Sequence, residues 1–143
     1  MARFEDACVA DYMTWPVVSV APGTLLREID RQFARHDFNA FPVVEGNLLA
    51  GIVSKFDMLK LFLCCEPAEL PNCDPLDGLT ASAIMSRNVV TFRPSTPMVR
   101  VLRTVVDFRL KSFPVVDGQR LVGMVARTDI LRALRETVTA RRL

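Results

Sequence analysis

The chain of 143 residues contains one histidine, one tryptophan and one tyrosine. The lone His36 has no evident partner, so no set of nucleophile, base and orienting group can be assembled, and the reading is not an enzyme, with no catalytic residue. Cysteine is sparse: Cys8, Cys64, Cys65 and Cys73 form no C-x-x-C pair, and with a single histidine they lack the paired ligand spacing of a zinc site. They are read as buried or linker thiols, and no metal site is expected. Long apolar runs are also missing. Leu61 to Cys65 and Leu121 to Ala126 fall far short of the roughly 18 to 20 residues that cross a bilayer, so no membrane insertion is expected. The start, Met-Ala-Arg-Phe-Glu-Asp, is unlike a signal peptide, which makes the cytoplasm the default location. Charge of one sign is absent too. Eighteen basic against sixteen acidic residues leave +2, too balanced to point to nucleic acid; only the tail residues Arg132, Arg135, Arg141 and Arg142 favour such a partner, and helix-end cations explain them equally well.

What is present is apolar mass. Half of the residues are hydrophobic, which excludes disorder and suits one domain or two very small ones fused. The arrangement of that mass is repetitive. Shifted by 72 positions, residues 13–60 align with 85–132 without a gap, and 16 of the 48 pairs are identical. Ordinary residue usage would give about three. Met13 matches Met85, Val17-Val18 matches Val89-Val90, and Pro22-x-Thr24 matches Pro94-x-Thr96. Phe41-Pro-Val-Val44 matches Phe113-Pro-Val-Val116, and Gly46, Gly51 and Asp57 match Gly118, Gly123 and Asp129. The chain is a duplication.

Each copy reads as strand, helix, strand, turn, strand, helix. Thr24 and Thr96 are expected to cap the first helix, with Pro97 at its first position. Leu25, Leu26, Ile29 and Phe33 in one copy, and Met98, Val101, Leu102, Val105 and Val106 in the other, recur at helical spacing and are expected to face the core. The Phe-Pro-Val-Val runs are strands. Glu45-Gly46-Asn47 and Asp117-Gly118-Gln119 are hairpin turns leading to strands 48–53 and 120–125, in which Gly51 and Gly123 mark a bulge or a close approach. Final helices from about Phe56 and Thr128 are expected to bury Met58, Leu59 and Phe62, and Ile130, Leu131 and Leu134. Between the copies, Pro67, Pro71, Asn72, Asp74, Pro75 and Gly78 signal a loop, followed by a short helix near Leu79 to Ile84. About 50 residues with a half-exposed sheet are poorly stable alone. The copies are therefore expected to pack sheet to sheet with approximate two-fold symmetry and to leave two related clefts at the seam.

Each copy resembles a CBS motif, the repeat named after cystathionine β-synthase, and the pair resembles a stand-alone Bateman module. The residues that carry the likeness are Asp11-Tyr-Met-Thr14 and Ser82-Ala-Ile-Met-Ser86, the two Phe-Pro-Val-Val strands, and the closing Gly51-Ile-Val-Ser-Lys-Phe-Asp57 and Gly123-Met-Val-Ala-Arg-Thr-Asp129. In these terms residues 1–66 are the first motif, 67–79 a linker and 80–143 the second, an α+β fold of tandem repeats. The resemblance implies a regulatory module, needing no obligatory cofactor, that binds AMP, ADP, ATP or S-adenosylmethionine between the motifs, forms a homodimer, and signals to a regulated protein encoded elsewhere. It implies one nucleotide cleft of Ile52, Ser54, Lys55, Phe56 and Asp57 joined by Ser86, Thr91, Leu110 and Lys111. The other would hold Met124, Arg127, Thr128 and Asp129 joined by Thr14, Ser19, Phe38 and Asn39. The aspartates would bind ribose hydroxyls.

The chemistry is sensible without the family name. A carboxylate accepts two hydrogen bonds from a vicinal diol, and a helix start offers N–H groups to phosphate. Lys55, Lys111 and Arg127 could add charge-assisted contacts. Every one of these residues has a plainer reading. Ser54 and Asp57 have capping-box spacing; in the second copy Ala126 replaces the serine and Thr128 becomes the expected cap. Lys111 and Arg127 read more readily as solvated cations than as ligands, His36 as a helix end, and Trp15 as packing. A ligand-free dimerisation or interaction module is the alternative function.

Overall fold

The structure is a computed structural model and describes residues 3–64 and 74–142, of which Cys64 and residues 138–142 are described in backbone alone. The expectation for Cys65 and Cys73, and most of the linker, lies outside the described residues. Helices are α1 (Val9–Tyr12), α2 (Leu26–Arg35), α3 (Lys55–Leu61), α4 (Ala81–Ile84), α5 (Met98–Phe108) and α6 (Arg127–Arg142). Strands are β1 (Ala40–Glu45), β2 (Leu48–Ser54), β3 (Ser112–Asp117) and β4 (Arg120–Ala126). Single 3-10 turns cover Phe4–Asp6 and Phe62–Cys64.

Two compact units divide the chain, and their borders are not those of the sequence repeat. The inner unit, inner in sequence, is Val18–Val89; the outer one combines Met1–Val17 with Val90–Leu143. Each unit thus takes the lead-in segment of the other copy: residues 79–86 belong with the first copy, and residues 7–14 with the second.

Hydrogen bonds show why the lead-in segments settle there. A helix start leaves N–H groups unpaired. In the inner unit the Leu26 N–H at the start of α2 donates to the Leu79 carbonyl (2.9 Å), while Ala81 and Ser82 donate back to Thr24 and Pro22 (2.9 and 3.0 Å). In the outer unit Met98 donates to Ala7 (3.0 Å), and Val9 and Ala10 donate to Thr96 and Pro94 (both 2.8 Å). Each lead-in segment therefore caps a helix and is capped in return. This replaces the threonine caps expected from sequence. The Thr24 and Thr96 hydroxyls accept instead from Ala21 and Arg93 N–H, three residues upstream (both 3.0 Å), and close a turn. The residues preceding the helices are Leu25 and Pro97, neither giving a side-chain cap, so Pro97 stands one place before the expected first helical position.

The two hairpins are equivalent. β1 pairs antiparallel with β2 and β3 with β4, and in both the register shifts once, between Val43 and Val44 and between Val115 and Val116. Gly46 and Gly118 open the turns at φ 64° and 65°, where any other residue would be strained. The strand expected before each first helix shrinks to one bridge, Val20 to Val43 and Phe92 to Val115, both parallel. Val20 donates to the Pro42 carbonyl and accepts from Val44; Phe92 does the same with Pro114 and Val116. Extension toward Val18 or Val90 would next require an N–H from Pro42 or Pro114, which have none.

Each unit encloses its own core. Val20, Leu26, Ile29, Phe41, Val43, Val53, Met58, Leu76, Ala81 and Met85 fill the inner one. Phe4, Val9, Phe92, Met98, Val101, Phe113, Val115, Val125, Ile130 and Ala133 fill the outer one. Fully burying Phe41 or Phe113 contributes about 1.5–3 kcal/mol. Several residues expected inside are not there. Leu25, Leu59, Phe62, Val106 and Leu131 are exposed. They stand at the margins of the apolar stripes, and the last helices turn inward a narrower face, Met58 in one and Ile130 with Ala133 in the other. Trp15, expected to pack, is 63% exposed.

Candidate functional site

In each unit the residues of the closing motif stand where the second strand passes into the last helix. In the inner unit β2 ends at Ser54 and α3 begins at Lys55. The Ser54 hydroxyl accepts from the Asp57 N–H (3.0 Å), and the Ser54 N–H donates to Asp57 Oδ2 (2.9 Å), a complete capping box. Asp57 is buried, and its other oxygen, Oδ1, meets Lys60 Nζ at 3.3 Å. A capping N–H leaves most of the carboxylate's acceptor capacity unused, so the capping and ligand-binding readings are compatible.

The outer unit repeats half of this. The Ala126 N–H donates to Asp129 Oδ2 at 2.8 Å, so the aspartate receives its bond from the backbone three residues earlier although no serine is there. Since α6 begins at Arg127, Thr128 is already inside the helix and is not its cap. Asp129 Oδ1 faces Arg132, whose NH2 stands 3.4 Å away. Burial pushes the Asp129 carboxyl above its ordinary pKa, opposed by the Ala126 N–H and by Arg132.

The lead-in segments border both places. Ser86 and Ile52 exchange backbone hydrogen bonds (2.9 and 3.0 Å), as do Thr14 and Met124 (2.7 and 3.1 Å). The Lys55 N–H donates to the Asn39 carbonyl and the Arg127 N–H to the Lys111 carbonyl, both at 3.0 Å. Of the first predicted set, Ile52, Ser54, Lys55, Phe56, Asp57 and Ser86 lie in the inner unit, and Thr91, Leu110 and Lys111 in the outer. Of the second, Thr14, Met124, Arg127, Thr128 and Asp129 lie in the outer unit, and Ser19, Phe38 and Asn39 in the inner. Within a unit, then, Asn39 neighbours Lys55 and Lys111 neighbours Arg127.

Aromatic groups stand beside the inner site. Phe38 stacks on the His36 ring (5.1 Å between centroids, 8° between planes) and meets Phe41 edge-on, while Lys55 Nζ lies 5.9 Å from the centre of Phe33. His36 ends α2, as expected. Phe56 is 68% exposed, and its ring has Lys60 Nζ at 5.4 Å. Sequence reasoning passed over Lys60 and read Arg132 only as a tail cation, not as a neighbour of Asp129. Their signal was available: a basic residue follows each aspartate by three positions, one helical turn, in both copies. Among the described residues no cluster of histidine, cysteine or carboxylate side chains could hold a metal ion, and no helix is long and apolar enough to cross a membrane.

Comparison with known proteins agrees with this architecture. The CBS domain family model matches residues 9–63 and 81–136. MJ1225 of Methanocaldococcus jannaschii is 26% identical over 132 residues, 90% of this chain, which spans only 47% of that protein. Its crystal structure superimposes with a TM-score of 0.81 at 25% identity, over 91% of this chain and 48% of that one. CBSX2, solved in complex with AMP, gives a TM-score of 0.77 at 26% identity, covering 90% of this chain and 96% of its own. The CBS domain pair of MJ0100, solved with 5′-methylthioadenosine and S-adenosyl-L-methionine, gives 0.74 at 26% identity, with 91% and 97% covered. By both of its repeats and by the fold they adopt, the chain belongs to the CBS domain family, as a tandem pair.

Proposed function

We propose that this CBS pair is a regulatory module that binds an adenosine-containing molecule (AMP, ADP, ATP or S-adenosylmethionine) through Asp57 and Asp129 and passes the signal to a separate protein. CBS pairs are generally regulatory rather than catalytic, and two similar structures carry adenosine ligands. The observation that carries the reading is the shared state of the two aspartates. Each is held by the N–H three residues before it at the start of a helix, and each presents its second oxygen to one cation. A ribose diol can donate to such an oxygen, and the helix start that follows the strand can receive phosphate. Calorimetric titration with the four compounds tests it. Asp57→Asn and Asp129→Asn should each weaken one site by about 10- to 100-fold, the range of hydrogen bonds to a charged group. No heat from any compound at millimolar concentration defeats the proposal.

The module is proposed to be a cytoplasmic homodimer. Phe56, Leu59 and Leu63 are 68, 66 and 86% exposed along one side of α3 and the turn after it, an apolar stripe suited to a second copy. The same stripe, with the complete Ser54–Asp57 box, favours the second reading, a ligand-free dimerisation module. A dimer whose melting temperature no nucleotide moves would decide for it.

A further inference from the structure

The two copies differ in what holds the cation on the aspartate. In the inner unit Lys60 reaches Asp57 and lies over Phe56, and among the described residues it has no hydrogen bond to the lead-in residues 79–86. In the outer unit a single nitrogen of Arg132 serves two acceptors. Its NH2 donates to the Tyr12 carbonyl at 2.9 Å and to Asp129 Oδ1 at 3.4 Å. The guanidinium also covers the Tyr12 ring, 5.3 Å from its centre, and the Tyr12 hydroxyl donates to Glu136 Oε2 at 2.6 Å, one helical turn beyond Arg132. Tyr12 is two residues before Thr14, which is bonded to Met124. At the aligned position, in the lead-in segment of the inner unit, stands Ile84, which has neither hydroxyl nor ring.

We infer that Arg132 is a positioning residue that ties the Asp129 carboxylate to the outer unit's lead-in segment, so that a ligand hydroxyl taken up by Asp129 is read out at Tyr12 to Trp15, while no such linkage joins Asp57 to residues 79–86 among the described residues of the inner unit. The inference rests on the adenosine reading. A hydroxyl donating to Oδ1 takes the acceptor that Arg132 shares. The hydroxyl draws on an oxygen that the guanidinium already uses, and any turn of its planar fork moves the nitrogen that carries the Tyr12 carbonyl. The two sites are thereby unequal: Asp129 reports occupancy to the chain, and Asp57 binds without reporting. Ligand binding moves the segment only as far as its affinity differs between the two Arg132 arrangements.

Trp15, the chain's one tryptophan, is exposed three residues after Tyr12 and serves as the probe. AMP is titrated by calorimetry and by Trp15 emission in parallel, with hydrogen exchange at the Thr14 amide as a second measurement. In the natural sequence emission should change with occupancy. Arg132→Lys keeps a charge beside Asp129 but loses the double donation. It should alter AMP affinity by no more than about fivefold, the range of an exposed ion pair, while the emission change falls by more than half and Thr14 exchanges faster. Tyr12→Phe should reduce the response in the same sense. Asp129→Asn should remove it, and Asp57→Asn should not. An unchanged response in Arg132→Lys, or one that follows Asp57, overturns the inference. Heat from AMP with a silent Trp15 overturns the inference alone. No heat from AMP, ADP, ATP or S-adenosylmethionine overturns the adenosine reading along with it.

Discussion

The carbonyl oxygen of Ser86 stands against Gly51 so closely that a Cβ on the glycine would lie 2.6 Å from it. At the matching place in the outer unit a Cβ on Gly123 would meet the sulfur of Met13 at 2.7 Å and the Thr14 carbonyl only at 3.2 Å. Both glycines let a lead-in segment lie on the second strand, but the obstacles differ in kind. Backbone cannot swing aside, whereas a thioether can. Gly51→Ala should therefore destabilise by about 2–3 kcal/mol and Gly123→Ala by about 1 kcal/mol. Urea unfolding of the two variants checks the order; equal losses would contradict it.

The half-formed box at Ala126 is open to completion. Its N–H already binds Asp129, and only the hydroxyl that Ser54 supplies in the other copy is missing. Ala126→Ser should stabilise by about 0.5–1 kcal/mol, and Ser54→Ala should cost about 1 kcal/mol. Thermal melts read both. A neutral Ala126→Ser would mean that the serine is not held as Ser54 is.

Asp129 has a pH signature. Its carboxyl is raised above the ordinary value by burial, so between the unfolded and the raised folded pKa the folded chain holds more protons than the unfolded one. Its contribution to stability therefore falls as pH rises through that window and stays unfavourable above it. Asp129→Asn keeps an oxygen for the Ala126 N–H and removes the ionisation. At neutral pH the variant should melt no lower than the natural chain while losing ligand affinity. A lower melting temperature at neutral pH, together with unchanged affinity, would mark Asp129 as a cap and nothing more.

Leu59 and Ile130 separate surface from core. Leu59 is 66% exposed and Ile130 is 3% exposed. Ile130→Ala should cost about 2–5 kcal/mol. Leu59→Glu should change the stability of the folded monomer by less than about 0.5 kcal/mol and shift sedimentation toward that monomer. A dimer unaffected by Leu59→Glu places the subunit contact elsewhere.

Much of this was legible in the residues, because the duplication printed each local rule twice. The hairpin turns at Gly46 and Gly118, the close approaches at Gly51 and Gly123, and the short helix before Ser86 all stand where the pattern put them. The exchange of lead-in segments was not legible. It depends on the carbonyls of Leu79 and Ala7 reaching helix starts remote in sequence, and backbone acceptors leave no trace in composition. For the same reason Thr24 and Thr96 read as caps: a threonine before a helix looks alike whether its hydroxyl serves the helix or the turn behind it. The exposure of Leu25 and Leu131 was hidden because helical spacing marks a stripe and not how much of it is covered. At the candidate site the aspartates were legible and their cations were not, since Lys60 and Arg132 resemble any solvated base until the turn of helix beneath them is drawn.

The central claim is that Asp57 and Asp129 are kept for a ribose, and a crystal structure of the protein grown with AMP tests it most directly. Nucleotide density should show sugar hydroxyls about 3 Å from the cation-facing oxygen, Oδ1, of at least one of these carboxylates. Nucleotide bound with both aspartates engaged by their caps and cations alone, and the sugar held by other groups, would contradict it.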